Sequence, residues 1–313
     1  MMIDARWVLG AALLGLAMPA NAETLTINSG DPAAVDVTDL LRISVDRFEG
    51  EDGAAFAQAL EAELAAATFQ GNPFYRVVAP ESGAPTDGLV TGTVRASVDE
   101  VPVIKKRRRC TEYDPADKKQ CIKEIDVDIR CRRRTAAVAT TVRLVAIADG
   151  SIRHTRPLNA RDQVTVCPDR SAPPSVEDYF EATFRSQVRT IRDDLAPRSY
   201  SAEIRVDEST KGLTKPAQAA FKAAVRLTKT DQVGACAAWQ AMTRDAEPTA
   251  ALSFNLGLCN EMEGDLDAAA DWYGDAQRQG ARGSAVPEAL ARLDRYRRAL
   301  SAWTARKAVM GAD

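Results

Sequence analysis

Residues 105–131 read KKRRRCTEYDPADKKQCIKEIDVDIRC, and residues 131–167 continue as CRRRTAAVATTVRLVAIADGSIRHTRPLNARDQVTVC. The pattern specifies two consecutive β-hairpins, each carrying a cysteine on both of its strands. The first turns at Asp114-Pro115-Ala116-Asp117. Proline pre-sets φ for the second position of a type I turn, and an aspartate before it can accept from the backbone. Folding about that turn sets Cys110 opposite Cys121, Lys105 opposite Asp126, Arg107 opposite Glu124 and Ile104 opposite Val127. Opposite charges would then share one face and apolar side chains the other, as cross-strand pairing favours. The second hairpin turns at Ala148-Asp149-Gly150, a short loop with glycine in the left-handed position. Its register sets Cys131 opposite Cys167.

All six cysteines lie after residue 22. An even number in an exported chain reads as disulfides. Cys110–Cys121 and Cys131–Cys167 follow from the two registers, which leaves Cys236–Cys259. No Cys-x-x-Cys spacing occurs and His154 is the only histidine, which argues against a zinc site. The export signal is at the start. Arg6 precedes an apolar run over residues 7–18, and Ala20-Asn21-Ala22 forms a small-x-small cleavage site before Glu23. That run is short for a permanent membrane span. The expected location is a bacterial periplasm.

The rest of the chain organises around the hairpins. Leu40-Leu41-Arg42-Ile43-Ser44-Val45 reads as a first strand. Residues 54–68 read as a helix with Phe56, Leu60 and Leu64 on one face, and Tyr75-Arg76-Val77-Val78 as a short strand. Val90, Val94 and Val98 share one side of a third strand. Val138, Thr140, Val142 and Leu144 share one face of a long one. Ser175 with Asp178 three residues on forms a capping box. Phe180, Phe184, Val188, Ile191 and Leu195 stripe the helix that follows, and Pro197 stops it. The expected fold class is α+β: a mixed, largely antiparallel sheet with two packing helices, then an all-α region. The expected boundaries are a signal peptide over 1–22, an α/β domain over 23–198, a polar connector over 199–215 and a helical domain over 216–309.

Ile43-Ser44-Val45-Asp46-Arg47-Phe48-Glu49-Gly50, Phe74-Tyr75-Arg76-Val77-Val78, Asp87-Gly88-Leu89-Val90-Thr91-Gly92-Thr93-Val94 and Val142-Arg143-Leu144-Val145 with Asp149-Gly150 carry one resemblance. With the helices around them they resemble the periplasmic and outer-membrane-associated α/β domains. These include the amino-terminal domain of the Tol propeller protein TolB, the curli-export protein CsgG and the lipoprotein activators of penicillin-binding proteins. The resemblance implies a role in envelope assembly or secretion. The cysteine-bearing hairpin departs from that pattern.

The region from Pro216 resembles tetratricopeptide repeats. Asn255-Leu256-Gly257, Gly264-Asp265, Ala269, Tyr273 and Ala276 mark one copy from Ala250. Ala223, Ala235, Trp239 and Pro248 mark another that starts thirty-four positions earlier, the period of this repeat. Val286, Leu290, Leu293, Leu300 and Trp303 stripe a final helix expected to cap the stack. The resemblance implies a concave groove for a protein partner. The candidate contacts are Phe221, Phe254 and Asn255, with Asn260 nearby.

Two surfaces are therefore candidates for function. Besides the groove, residues 105–134 hold twelve basic and six acidic side chains. Lys105, Lys106, Arg108, Arg109, Arg132, Arg133 and Arg134 are candidates for an anionic envelope ligand such as a lipid, lipopolysaccharide or glycan. Basic residues on a strand also keep a sheet edge soluble. Nucleic acid is not expected, because aromatic side chains are not interleaved with the basic ones. No Gly-x-Ser-x-Gly, P-loop, dinucleotide or zinc-protease motif occurs. His154, between Arg153 and Thr155, reads as an exposed surface residue. The expectation is a non-enzymatic adaptor without a cofactor, which holds a protein partner on its helices. The alternative is a binder of an anionic ligand on the basic hairpin.

Overall fold

The computed structural model describes residues 23–244, 247–281 and 283–311. The expected signal peptide lies outside them. In chain order the elements are β1 (Thr24–Asp31), β2 (Arg42–Val45), α1 (Gly53–Ala65), β3 (Thr68–Phe69), β4 (Asn72–Pro73), β5 (Arg76–Val77), β6 (Gly88–Tyr113), β7 (Cys121–Ala146), β8 (Ile152–Val166), α2 (Val176–Leu195), β9 (Arg198–Arg205), α3 (Lys215–Leu227), α4 (Gln232–Met242), α5 (Ala250–Glu263), α6 (Leu266–Arg278) and α7 (Ala285–Met310). The α+β class stands. The chain forms two compact units. One holds residues 29–200 and 291–313; the other holds residues 201–290 with the stretch that ends at Asn28.

In the first unit a five-stranded sheet runs β5-β2-β6-β7-β8. β2 is parallel to both β5 and β6, and the rest is antiparallel. Phe56, Leu60 and Leu64 recur every four residues along α1 and are buried. Phe56 meets Phe48 at 5.2 Å and Phe184 of α2 at 6.0 Å. The two helices thus cover one core that also takes in Val90, Val94, Val142 and Leu144. Ser175 caps α2 with the expected capping box. α1 stops three residues before its expected end at 68. Gln70 and Gly71, both at positive φ, turn the chain there so that β3 pairs with β4.

The strand expected to end near Val98 does not end there. It continues through Pro102 to Tyr113 as one 26-residue strand. Past Thr93, β6 pairs among the described residues with β7 alone, and such an edge is where a strand tolerates proline. β8 ends at Val166, opposite Arg132. Beyond that point β6 and β7 run on as a two-stranded arm, roughly 33 Å long at 3.3 Å per residue.

The second hairpin has the expected register: Arg132 meets Val166, and Cys131 joins Cys167. Gly150 supplies the left-handed turn residue at φ 69°. The first hairpin does not have its expected register. Asp114 accepts from Ala116 N at 2.7 Å and Asp117 from Lys119 N at 3.0 Å. These two successive side-chain turns stretch the loop to Gln120, whose carbonyl takes the Asp114 N–H. Lys105 consequently meets Ile129, not Asp126, and Arg107 meets Val127, not Glu124. Irregular pairing around Glu112 still brings Cys110 and Cys121 to a Cα separation of 5.7 Å, and they are bonded. The remaining pair, Cys236–Cys259, is bonded as well. Three disulfides mark a chain that matures in an oxidising, extracytoplasmic compartment. Among the described residues no helix is long and apolar enough to cross a membrane.

The tip bond staples an arm that packs on little else. A Cys110→Ser/Cys121→Ser variant is expected to leave global unfolding within about 1 kcal/mol of the parent, the range of changes away from the core. Tryptic cleavage at Lys118 and Lys119 should accelerate. A global loss well beyond that range in a thermal melt would mean that arm and sheet unfold together.

Two further elements differ from expectation. β9 lies where a polar connector was expected and pairs with β1, itself unexpected. The last helix was expected to belong wholly to the repeats. Only its start does: Val286 and Ala289 are buried in the helical unit, while Ala299 and Trp303 join the α/β core. In the helical unit α3 packs on α4, α4 on α5 and α5 on α6. Of the alanines that mark the two repeat copies, Ala235, Ala269 and Ala276 are fully buried, but Ala223 is exposed and Ala224 is buried in its place.

Candidate functional site

The arm shows how one shift in register decides chemistry. Directly paired residues share a face, and successive residues alternate faces. On one face the pairs are Glu100 with Arg134, Pro102 with Arg132, Ile104 with Arg130, Lys106 with Asp128 and Arg108 with Asp126. Most of that charge is compensated. Arg108 also lies 3.9 Å from Glu124, Arg132 lies 3.5 Å from Glu100, and Arg134 donates to the Pro174 carbonyl at 2.6 Å.

The other face has Val101 with Arg133, Val103 with Cys131, Lys105 with Ile129, Arg107 with Val127 and Arg109 with Ile125. Four of these five pairs set a cation against an apolar side chain, and none includes a carboxylate. Arg107 is half-buried and lies 3.7 Å from Asp169, on the turn that Cys167 carries over. Lys105, Arg109 and Arg133 are exposed and make no ion pair among the described residues. Ile125 is 46% exposed on the same face, and Ile122 and Tyr113 are about equally exposed at the tip. Ile129, Cys131 and Cys167 form a small buried cluster with Val103 at the base.

The structure thus divides the seven basic candidates. Lys105, Arg109 and Arg133 come together on the uncompensated face. Lys106, Arg108, Arg132 and Arg134 lie on the compensated one. The sequence-based register had assigned carboxylate partners to Lys105 and Arg107. A shift of three is odd, so it exchanged the faces.

Three of the four groove candidates are not displayed to a partner. Phe221 is buried 6.2 Å from Trp239, and Phe254 is buried 5.7 Å from Tyr273. Asn255, fully buried, accepts from Asp207 N at 2.8 Å and donates to Asp207 O at 2.9 Å. The backbone it holds is the chain's own segment after β9. Asn260 donates to Leu256 O within its own helix at 2.8 Å.

His154 also departs from its expected exposed place. Its side chain is only 13% exposed, with Nε2 3.1 Å from an Asp194 carboxylate oxygen that Arg156 approaches at 3.4 Å. β8 supplies His154 and Arg156, and the last turn of α2 supplies Asp194. Nothing in the strand pattern announced this cluster, because Asp194 is forty residues away. Among the described residues no three His, Cys, Asp or Glu side chains gather as a metal site.

Comparison with known proteins adds little. A family model described as "Domain of unknown function (DUF6340)" matches residues 221–302. No curated protein matches the chain. Among solved structures, the PelC dodecamer from Paraburkholderia phytofirmans aligns at 11% identity and TM-score 0.27, over 56% of this chain and 99% of that one. A PDZ domain protein from Parabacteroides distasonis aligns at 10% identity and TM-score 0.23, over 67% of this chain and 54% of that one. Scores this low do not establish a common fold.

Proposed function

We propose that this is an exported, non-enzymatic adaptor of the bacterial envelope that docks on an anionic lipid surface through the uncompensated face of its arm. The observation that carries this reading is the alternation on that face. Lys105, Arg107, Arg109 and Arg133 stand opposite Ile129, Val127, Ile125 and Val101. Cations beside apolar side chains suit an interface where phosphate meets hydrocarbon. The arm's rigidity supports it: a cysteine bridge ties each end, so the face arrives ordered. The export signal at residues 1–22 and the disulfides support a periplasmic location. The alternative, capture of a protein partner by the helix pairs, loses three of its four named contacts to the interior and ranks second.

Vesicle co-sedimentation tests the reading. Binding should favour vesicles that contain anionic lipid over zwitterionic ones and should weaken as salt shortens the screening length. Each cation near an anionic surface contributes about 1 kcal/mol, so Lys105→Glu/Arg109→Glu/Arg133→Glu should weaken partitioning by about a hundredfold or more. Lys106→Gln/Arg108→Gln, on the opposite face, should change it little. Equal loss in both variants would reduce the effect to net charge and overturn the assignment of a face.

A further inference from the structure

The sheet of the α/β unit is covered by α1 and α2 on one face and is open on the other. On β7 the covered face holds Val138, Thr140, Val142 and Leu144, all buried. The residues between them belong to the open face, because successive side chains alternate. There Arg143 pairs with Thr155 of β8, Ala137 with Arg161, and Arg133 with Thr165. The pairs in between are Thr141 with Pro157, Ala139 with Asn159, and Thr135 with Gln163. Nine of these twelve side chains are exposed and the other three half-buried, so the face is free to meet a ligand. Three of them are arginines and none is a carboxylate. Arg133, Arg143 and Arg161 make no ion pair among the described residues. On β6 the same face adds Arg95, opposite Ala139, and Asp99, opposite Thr135, and Glu49 borders that strand at Thr93. Neither of these two carboxylates makes an ion pair among the described residues.

The neighbours of these cations set the class of anion. On the arm, cations stand against isoleucine and valine. On β7 and β8 they stand among threonine, asparagine and glutamine, and the apolar side chains are only alanine and one proline. Hydroxyl and amide groups both donate and accept, so they match a hydroxyl-rich chain and not hydrocarbon. Gln163 already donates to Thr135 at 3.2 Å, which leaves Thr141, Thr155 and Asn159 for the hydroxyls of a ligand. The cations are also widely spaced. Along the strands Arg161 lies about 20 Å from the level of Arg143 and about 13 Å from that of Arg133, at 3.3 Å per residue. A nucleic acid, with one charge per about 1.7 Å of duplex, would leave most of its charge unmatched here. We propose that the open face of β7 and β8 binds a linear acidic polysaccharide, its carboxylates against Arg143, Arg161 and Arg133 and its hydroxyls against Thr141, Thr155 and Asn159. The face is about 33 Å long from Arg143 to Arg133, enough for an extended chain. The site is separate from the lipid-docking face of the arm and does not depend on what the arm does. Arg133 stands where the two surfaces meet and is left unchanged in the test.

Titration calorimetry on the full processed chain at physiological salt tests the proposal. The probe is an oligogalacturonate long enough to span the face. A neutral maltooligosaccharide of the same length and a polyglutamate probe the hydroxyls and the charge alone. The oligogalacturonate should bind, and each of the other two should bind about tenfold more weakly or worse, the loss expected when charged or neutral hydrogen bonds go unmade. Arg143→Gln/Arg161→Gln should weaken the oligogalacturonate by about tenfold or more and shift the unliganded melt by no more than about 2 °C, because both side chains are exposed. Lys105→Gln/Arg109→Gln removes the same charge from the arm and should leave the isotherm almost unchanged. Thr141→Ala/Asn159→Ala should weaken the oligogalacturonate several-fold and leave polyglutamate as it was. Polyglutamate binding as tightly as the oligogalacturonate would make the occupant an acidic protein segment and overturn the proposal. So would a maltooligosaccharide that binds equally well, an Arg143→Gln/Arg161→Gln variant that binds normally, or an equal loss in the arm variant.

Discussion

Arg306→Leu is expected to destabilise the α/β unit by about 3–5 kcal/mol, because several buried backbone carbonyls lose the donor that satisfies them. Nη1 donates to Val37 O at 2.8 Å and to Thr38 O at 3.4 Å, and Nη2 donates to Leu40 O at 3.0 Å and to Phe74 O at 2.6 Å. The guanidinium also lies 4.1 Å from the Phe74 ring centre and 5.0 Å from that of Tyr75. Leucine fills some of the volume but leaves buried carbonyls without donors, at about 1–3 kcal/mol for each one that water cannot reach. Burial also holds the guanidinium below its ordinary titration range, a sign that the site resists the charge even while it uses the donors. Arg306→Lys should recover only part of the loss, because an ammonium lacks the planar fork that reaches both sides. Urea unfolding followed by hydrogen exchange over residues 37–45 would measure it. A leucine variant within about 1 kcal/mol of the parent would show that the carbonyls find other donors.

The second large effect belongs to the helical unit. Gly257→Ala is expected to cost about 2–4 kcal/mol, the range for overpacking a site that cannot yield. A Cβ at Gly257 would stand 2.4 Å from Tyr273 Cε1 and 2.5 Å from Cδ1. The ring has no easy retreat. Tyr273 is fully buried, and its hydroxyl donates to Glu261, also buried, at 2.7 Å. Moving the ring would break that hydrogen bond. Gly274→Ala is the control: its nearest neighbour is the flexible end of Arg278 at 3.3 Å, so alanine should be neutral or gain up to about 1 kcal/mol in helix propensity. Hydrogen exchange in α5 and α6 separates the two outcomes. Equal behaviour of the two variants would mean that α5 and α6 can slide apart without loss.

What the sequence disclosed depended on how locally each feature is determined. Gly150 needs only its own backbone, so the second hairpin, its register and its disulfide were legible. The first hairpin hinged on whether Asp114 and Asp117 close one turn or two. The same residues are compatible with both, and the difference turns over every side chain on the arm. The stripe on α7 was legible as an apolar face, but an apolar face does not name its neighbour. β1 and β9 escaped notice because their paired strands are only partly buried and carry Thr24, Thr26, Ser201 and Glu203, which bond to each other or to nearby side chains. Asn255 was named as a contact for a partner, whereas it binds backbone of its own chain. That the backbone is Asp207 could not be read from composition or period.

The position of Arg306 has a consequence for the order of events during synthesis and export. A chain that emerges amino end first presents Val37 long before Arg306, 269 positions later. In that interval the sheet can pair and α1 and α2 can settle, but four carbonyls lack their donor and Trp303 has not arrived to join Phe69 and Phe74. The α/β unit is therefore assembled last, although most of it is made first, and whatever receives the chain outside the cytoplasm must tolerate that delay. For the same reason a fragment cut after Lys215, tidy as it looks on a linear map, is an unfinished unit with an open seam.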